Sequence, residues 1–125
     1  MRLLYIKMKG VVFMFGHSED KIEKLVEKKH WDKLQSKYLN GSDDQRLELA
    51  KACGGSDADE SCNILVTLLH DENEAVQMEA VKSLGKIGND HTTAQLQWLL
   101  SQLPETKTEL IHEIHQAIAS VKHKQ

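Results

Sequence analysis

The sequence predicts an all-α superhelix: a short solenoid of about three helical hairpins preceded by an amino-terminal capping helix. Three observations predict it. Apolar residues recur at helical spacing over most of the chain, short polar turns separate the segments that carry them, and the chain matches itself when displaced by one hairpin's length. The composition agrees, with 40% hydrophobic and 28% charged residues, one Pro and seven Gly. Such a chain is neither disordered nor of low complexity, and at 125 residues it is long enough to bury roughly two thirds of the surface its unfolded form exposes.

The internal match comes first because a repeat reassigns many tempting residues to packing. A shift of 31 positions lays RLELAKACG, residues 46 to 54, over QMEAVKSLG, residues 77 to 85. Leu47 meets Met78, Ala50 meets Val81, Lys51 meets Lys82, Cys53 meets Leu84 and Gly54 meets Gly85, while Trp31, Leu34 and Tyr38 fall over Cys62, Leu65 and Leu69. A shift of 34 positions then matches Val76 with Leu110, Ala80 with Ile114, Leu84 with Ile118, and Leu65 and Leu69 with Leu99 and Leu103. The unit is a helix, a polar turn and a second helix. Its turns are Asn40 to Asp43, His70 to Asn73 and Pro104 to Thr106, and between units lie Gly54 to Asp57 and Gly88 to Asp90, all rich in capping and stopping residues. Helices are expected near 19–29, 31–39, 43–53, 58–70, 73–87, 92–103 and 106–122.

The stretch LLHDENEAVQMEAVKSLGKIG resembles the short HEAT-like repeat of bacterial and archaeal proteins. Leu68, Leu69, Asp71, Val76, Ala80, Leu84, Gly85, Ile87 and Gly88 fill the pattern. The middle unit lacks only the Arg common after the Val, here Gln77, whereas Gln45 replaces the Val and Ala119 the Gly in the flanking units. The resemblance spans about residues 30 to 122. It implies a solenoid whose second helices line a concave side, and a binding module, not an enzyme. Similar short repeats occur in lyase subunits that attach bilins to phycobiliproteins, so an enzyme-associated role is the second reading.

On the helix ending at Gly88, Val76, Ala80, Ser83, Leu84 and Ile87 form one apolar stripe, with Glu79, Lys82 and Lys86 opposite. Small Ala80 and Ser83 allow close helix approach. Where Met78 and Val81 stand in the middle unit, the last unit has His112 and His115; polar residues at a docking flank are what ends an array. Glu19 to Lys29 reads as the cap at the other end, so the array reads as complete.

Glu48 and Lys51, Glu79 and Lys82, and Glu113 and Gln116 recur at equivalent positions of successive second helices, with Lys86 beside them. This row is the expected partner-binding surface, although Glu followed three residues later by Lys also simply supports an exposed helix. His112 and His115 with Glu109 and Glu113 invite a metal, but HEIHQ is not HExxH and two ligands on one face make no tight site. Neither a metal nor a cofactor is expected. Cys53 and Cys62 lie over Leu84 and Leu96, where the repeat demands apolar volume, and no catalytic motif occurs. Trp31 and Trp98 are expected to be core anchors.

Sixteen Lys and Arg against nineteen Asp and Glu give a net charge of −3, so the overall field does not favour a polyanion. Lys24, Lys28, Lys29, His30, Lys33 and Lys37 are interleaved with Glu23, Glu27 and Asp32, which suits a solvated face better than a phosphate track. Weak nucleic-acid binding is thus the third reading. Residues 1–17 form an apolar extension to a domain over 18–125, broken by Lys7, Lys9 and Gly10 and short of the roughly 18 apolar residues of a spanning helix. The expectation is a poorly ordered segment, no membrane partner, and a homodimer through this segment as a further contact. Two cysteines without CxxC spacing fit a reducing cytoplasm.

Overall fold

The polar turns do what their side chains dictate. Ser42 Oγ accepts the Gln45 N–H at 3.2 Å while the Gln45 side chain accepts the Ser42 N–H at 3.0 Å, a reciprocal capping box. Asn73 Oδ1 accepts from the Ala75 and Val76 N–H groups, and Asn89 Oδ1 from that of Thr92. The capping box also explains why Gln45 departs from the repeat's Val: it closes the helix end. In the computed structural model, which describes residues 16–124, these caps open the first, third and fourth of the five longer helices that follow the first turn.

The helices are α1 (Gly16–Glu27), α2 (Trp31–Lys33) running into a π-helical turn (Leu34–Tyr38), α3 (Asp43–Cys53), α4 (Asp59–Leu68), α5 (Glu74–Ile87), α6 (Asp90–Gln102) and α7 (Thr108–His123). No strand occurs among the described residues. The helices stand close to where the sequence places them, with α6 starting two residues early at its Asn89 cap. The extension expected over 1–17 lies outside the described residues, save that α1 begins at Gly16. The π-helical turn, closed by the Leu39 N–H on the Leu34 carbonyl at 3.0 Å, was not expected within the helix predicted over 31–39. Leu34 and Tyr38 are both buried across it, so the apolar face survives the wider turn.

Helices α1, α3, α5 and α7 pack side by side in one layer, and α2 with its π turn, α4 and α6 form the other. A single apolar cluster runs from Ile22 on α1 to Ile118 on α7. Leu65, Val76, Ala80, Leu84 and Ile114 are all fully buried, as the repeat requires. The layer of α2, α4 and α6 is the more splayed: α4 and α6 meet sparsely, whereas α5 lies along both α3 and α7. Small residues make the difference. A Cβ placed on Gly85 would stand 3.1 Å from Ala117 Cα, and one on Gly54 would stand 2.6 Å from Ser83 Oγ. The second helices thus form the more tightly packed layer, the one that lines the concave side in the repeat this chain resembles. Ser83 Oγ donates to the Ala50 carbonyl at 2.7 Å and Ser61 Oγ to the Cys53 carbonyl at 2.6 Å, so buried serines satisfy the last turn of α3.

Trp98 corrects the expectation of two core tryptophans. Trp31 is buried, but Trp98 remains 50% exposed. It falls off the Leu96 and Leu99 stripe of α6, and meets His70 edge-on with ring centroids 5.0 Å apart. The ring thus lies against His70, just beyond the end of α4.

The end of α1 holds a conformational cost. The His30 N–H reaches the Leu25 carbonyl at 2.9 Å and the Lys29 N–H the Val26 carbonyl at 3.0 Å, a Schellman closure that puts Lys29 at a φ of 62°. Lys29→Gly should therefore raise stability by about 1 kcal/mol, read as a higher urea midpoint at unchanged slope. Gly85→Val should do the reverse. Its side chain would press on the α7 backbone, and a loss of roughly 1–3 kcal/mol is expected; a melting temperature equal to wild type would show that α5 and α7 do not touch there.

Candidate functional site

The row expected to bind a partner stands on the tightly packed layer of second helices. Glu48 and Lys51 stand on α3, Glu79, Lys82 and Lys86 on α5, and Glu113 and Gln116 on α7. The three glutamates are half-buried, and Lys51, Lys82, Lys86 and Gln116 are exposed. Lys51 Nζ lies 3.9 Å from Glu48 Oε1, a spacing that contributes little at a surface.

Two open grooves separate these helices. One, of about 470 Å³, runs between α1 and α3 and is lined by Glu23, Glu27, Lys29, Glu48 and Lys51 over Val26 and Ala52. The other, of about 430 Å³, runs between α5 and α7 and is lined by Lys82, Lys86, Glu113 and Gln116, with Ser120, His123 and Lys124. Six of the seven row residues therefore line a groove. Glu79 lines neither.

The register of these helices is held at their turn ends by contacts that the sequence reading missed. Arg46 Nε donates to Asp71 Oδ2 at 2.6 Å and its Nη2 to Asp71 Oδ1 at 3.2 Å, while Nη1 donates to the Gly41 carbonyl at 2.7 Å and Nη2 to Asp43 Oδ1 at 2.5 Å. One guanidinium thus joins the turn of the first hairpin to the turn of the second. Burial pushes the Asp71 carboxyl up, but the Arg46 bonds and the Asn73 N–H at 2.9 Å outweigh it and hold Asp71 below its ordinary range. The guanidinium is raised in turn, mainly by its bond to Asp71. Between the second and third hairpins the polarity reverses. Lys107, at the cap position of α7, donates from Nζ to Glu74 Oε1 at 2.5 Å.

Both thiols are buried and unlinked. Burial pushes Cys53 up to about 11, against a bond from Ser61, and raises Cys62 with help from Asp59 and Asp57. A thiol so held is protonated at neutral pH and a poor nucleophile. His112 Nε2 contacts Gln116 Nε2 at 3.1 Å and His115 is exposed. Among the described residues no group of three or more His, Cys, Asp or Glu is placed to hold a metal ion, and no helix is long and apolar enough to cross a membrane. Lys29 and Lys33 are exposed beside Asp32 and Glu60, and Lys37 Nζ lies 5.5 Å from the Tyr38 ring centroid.

The paired layers, the shared seam and the groove-lining row describe one architecture, and the family model for HEAT repeats matches residues 32–119. The chain belongs to the HEAT-repeat family. No curated protein and no solved structure matches it. HEAT repeats are commonly protein-interaction scaffolds and generally non-catalytic. The membership also supplies the signal that pointed to Arg46. It follows Gln45, which stands in for the repeat's Val, and so occupies the position where HEAT-like repeats commonly carry Arg.

The Arg46–Asp71 bridge is shielded, with the Asp71 side chain 7% and the Arg46 side chain 18% exposed. Asp71→Asn removes the charge that Arg46 needs, and a loss of roughly 2 kcal/mol is expected at neutral pH. Because the native carboxyl is depressed, its stabilisation is present above about pH 4, the unfolded value, and is lost as pH falls through the lower native one. Denaturation followed from pH 7 to pH 2 should show a flatter acid limb in Asp71→Asn than in wild type; parallel limbs would remove Asp71 from the acid response.

Proposed function

We propose that the protein is a non-catalytic interaction module that holds a segment of a partner protein along the inner face of its second helices. The observation carrying this reading is that equivalent positions on successive second helices line open grooves on the tightly packed layer. A groove of that kind presents charged side chains at one-helix intervals on a frame that the buried seam keeps rigid. Such a surface suits an extended or helical segment laid across it.

The row Glu48, Lys51, Glu79, Lys82, Lys86, Glu113 and Gln116 is the proposed contact surface, on a domain taken to run over 18–125 with residues 1–17 as an extension. Two buried, unlinked thiols fit a reducing cytoplasm. A bilin-attaching role would be better served by an enclosed cavity, and both grooves here are open. The mixed charges around Lys29, His30, Asp32, Lys33 and Glu60 favour a solvated face over a phosphate track.

Affinity purification of the whole chain with mass spectrometry, beside a Lys51→Glu/Glu79→Lys variant, tests the reading. At least one partner is expected to be lost at an unchanged melting temperature, since neither side chain belongs to the core. An identical set of partners would exclude this face.

A further inference from the structure

The two grooves of the inner face differ in charge. Between α1 and α3, Glu23, Glu27 and Glu48 outnumber Lys29 and Lys51. Between α5 and α7, Lys82, Lys86 and Lys124 outnumber Glu113, and His123 adds a further ring. In a chain of net charge −3, this is a local surplus of cations on the very surface proposed to bind.

Among the described residues no ion pair is formed by Lys82, Lys86 or Lys124; the pairs join Arg46 to Asp43 and Asp71, Lys51 to Glu48 and Lys107 to Glu74. Lys124 Nζ turns back to donate to the Lys86 carbonyl, where it offsets the partial negative charge of the end of α5. Lys82 and Lys86, one turn apart on α5, have no such occupation. The groove floor is Gly85 against Ala117, so no bulky side chain fills it, and a carboxylate entering there can approach the Lys82 and Lys86 ammonium groups from the α7 side. The repeat itself does not require this. Lys86 falls over Gly55 in the preceding unit, so α3 brings one lysine, Lys51, to its groove where α5 brings two.

We propose that the α5/α7 groove receives an acidic peptide segment of the partner. The assignment rests on the reading of the inner face as the binding surface and adds the chemistry of what binds and where. A continuous polyanion fits less well. Duplex nucleic acid gains its affinity from many phosphate contacts, and a phosphate backbone extended along this face would next meet Glu48, Glu27 and Glu23. A short run of Asp or Glu confined to one groove meets three lysines and a single acidic side chain, Glu113.

The test is an amide NMR titration of the full chain with a peptide carrying four consecutive glutamates, its lysine counterpart, and a short single-stranded DNA of matched charge. The glutamate peptide is expected to shift Gly85, Lys86 and Ser120 and to leave Ala52 and Gly55 in place. Binding should weaken about tenfold in Lys82→Glu/Lys86→Glu, by a smaller factor in Lys82→Gln/Lys86→Gln, and steeply with added salt. Absence of shifts at millimolar peptide, equal shifts around Ala52, undiminished binding by the charge-reversed variant, or tighter binding of the DNA would each overturn the assignment. If the peptide fails while Lys51→Glu/Glu79→Lys still loses a partner, only the acidic assignment falls; if both fail, so does the inner face as a binding surface.

Discussion

Helix α5 carries buried side chains around too much of its circumference for one neighbour to cover. Val76, Ala80, Ser83 and Leu84 lie on one side and Val81 and Gly85 continue round it, all of them buried. Its hairpin partner α4 accounts for only part of this arc, and α3 and α7 close the rest. A single hairpin would therefore leave apolar surface in water. Each unit is stable only between others, so the array behaves as one cluster from Ile22 to Ile118 instead of three small cores.

Two different devices set how the units stack. At the turn ends the coupling is electrostatic, through Arg46 and Asp71 in one interval and Lys107 and Glu74 in the next. The first is shielded and doubly bonded, whereas both side chains of the second are 45% exposed, so the first contributes more. Toward the other ends the coupling is steric, with Gly54 under Ser83 and Gly85 against Ala117. Ion pairs tolerate small changes of distance; a glycine contact does not. The distance between neighbouring second helices is accordingly set where the small residues are, and the grooves inherit their width from it.

The architecture was legible because packing leaves a periodic trace. Leu65, Leu69, Val76, Ala80 and Leu84 stand at helical spacing and reappear one unit later, and all are buried. The caps were legible for a related reason, since Ser42, Asn73 and Asn89 act within three residues of themselves. Contacts made at a distance left a weaker trace. Arg46 and Asp71 are 25 positions apart, and nothing in either segment alone shows that they meet. Trp98 misled because a large aromatic next to Leu96 and Leu99 looks apolar in sequence, while a step of one residue turns it well off the buried stripe. Lys29 gave no sign at all, because a left-handed closure is expected of Gly and a lysine adopts it only under the pull of the two bonds that close α1. Of the proposed site, the row's face and its grooves could be anticipated from repeat phase, but the opposite charge of the two grooves could not. It depends on Glu23 and Glu27 of α1 and on His123 and Lys124 of α7, which lie outside the aligned row and join it only when the helices pack.

That distribution bears on how such a fold acquires a partner. A buried position such as Leu84 answers to helices on both sides, and a change there must be matched across the seam. A groove position such as Lys86 answers to solvent alone, and its counterpart Gly55 shows that the stack accepts a different residue there. Discrimination between partners can then reside in charges at the groove rims, where like charges repel wrong segments and opposite charges draw in right ones at little cost to the core. The grooves of one face differ in sign while the seam beneath them is continuous, as expected if folding is decided by what the repeats share and binding by what they do not.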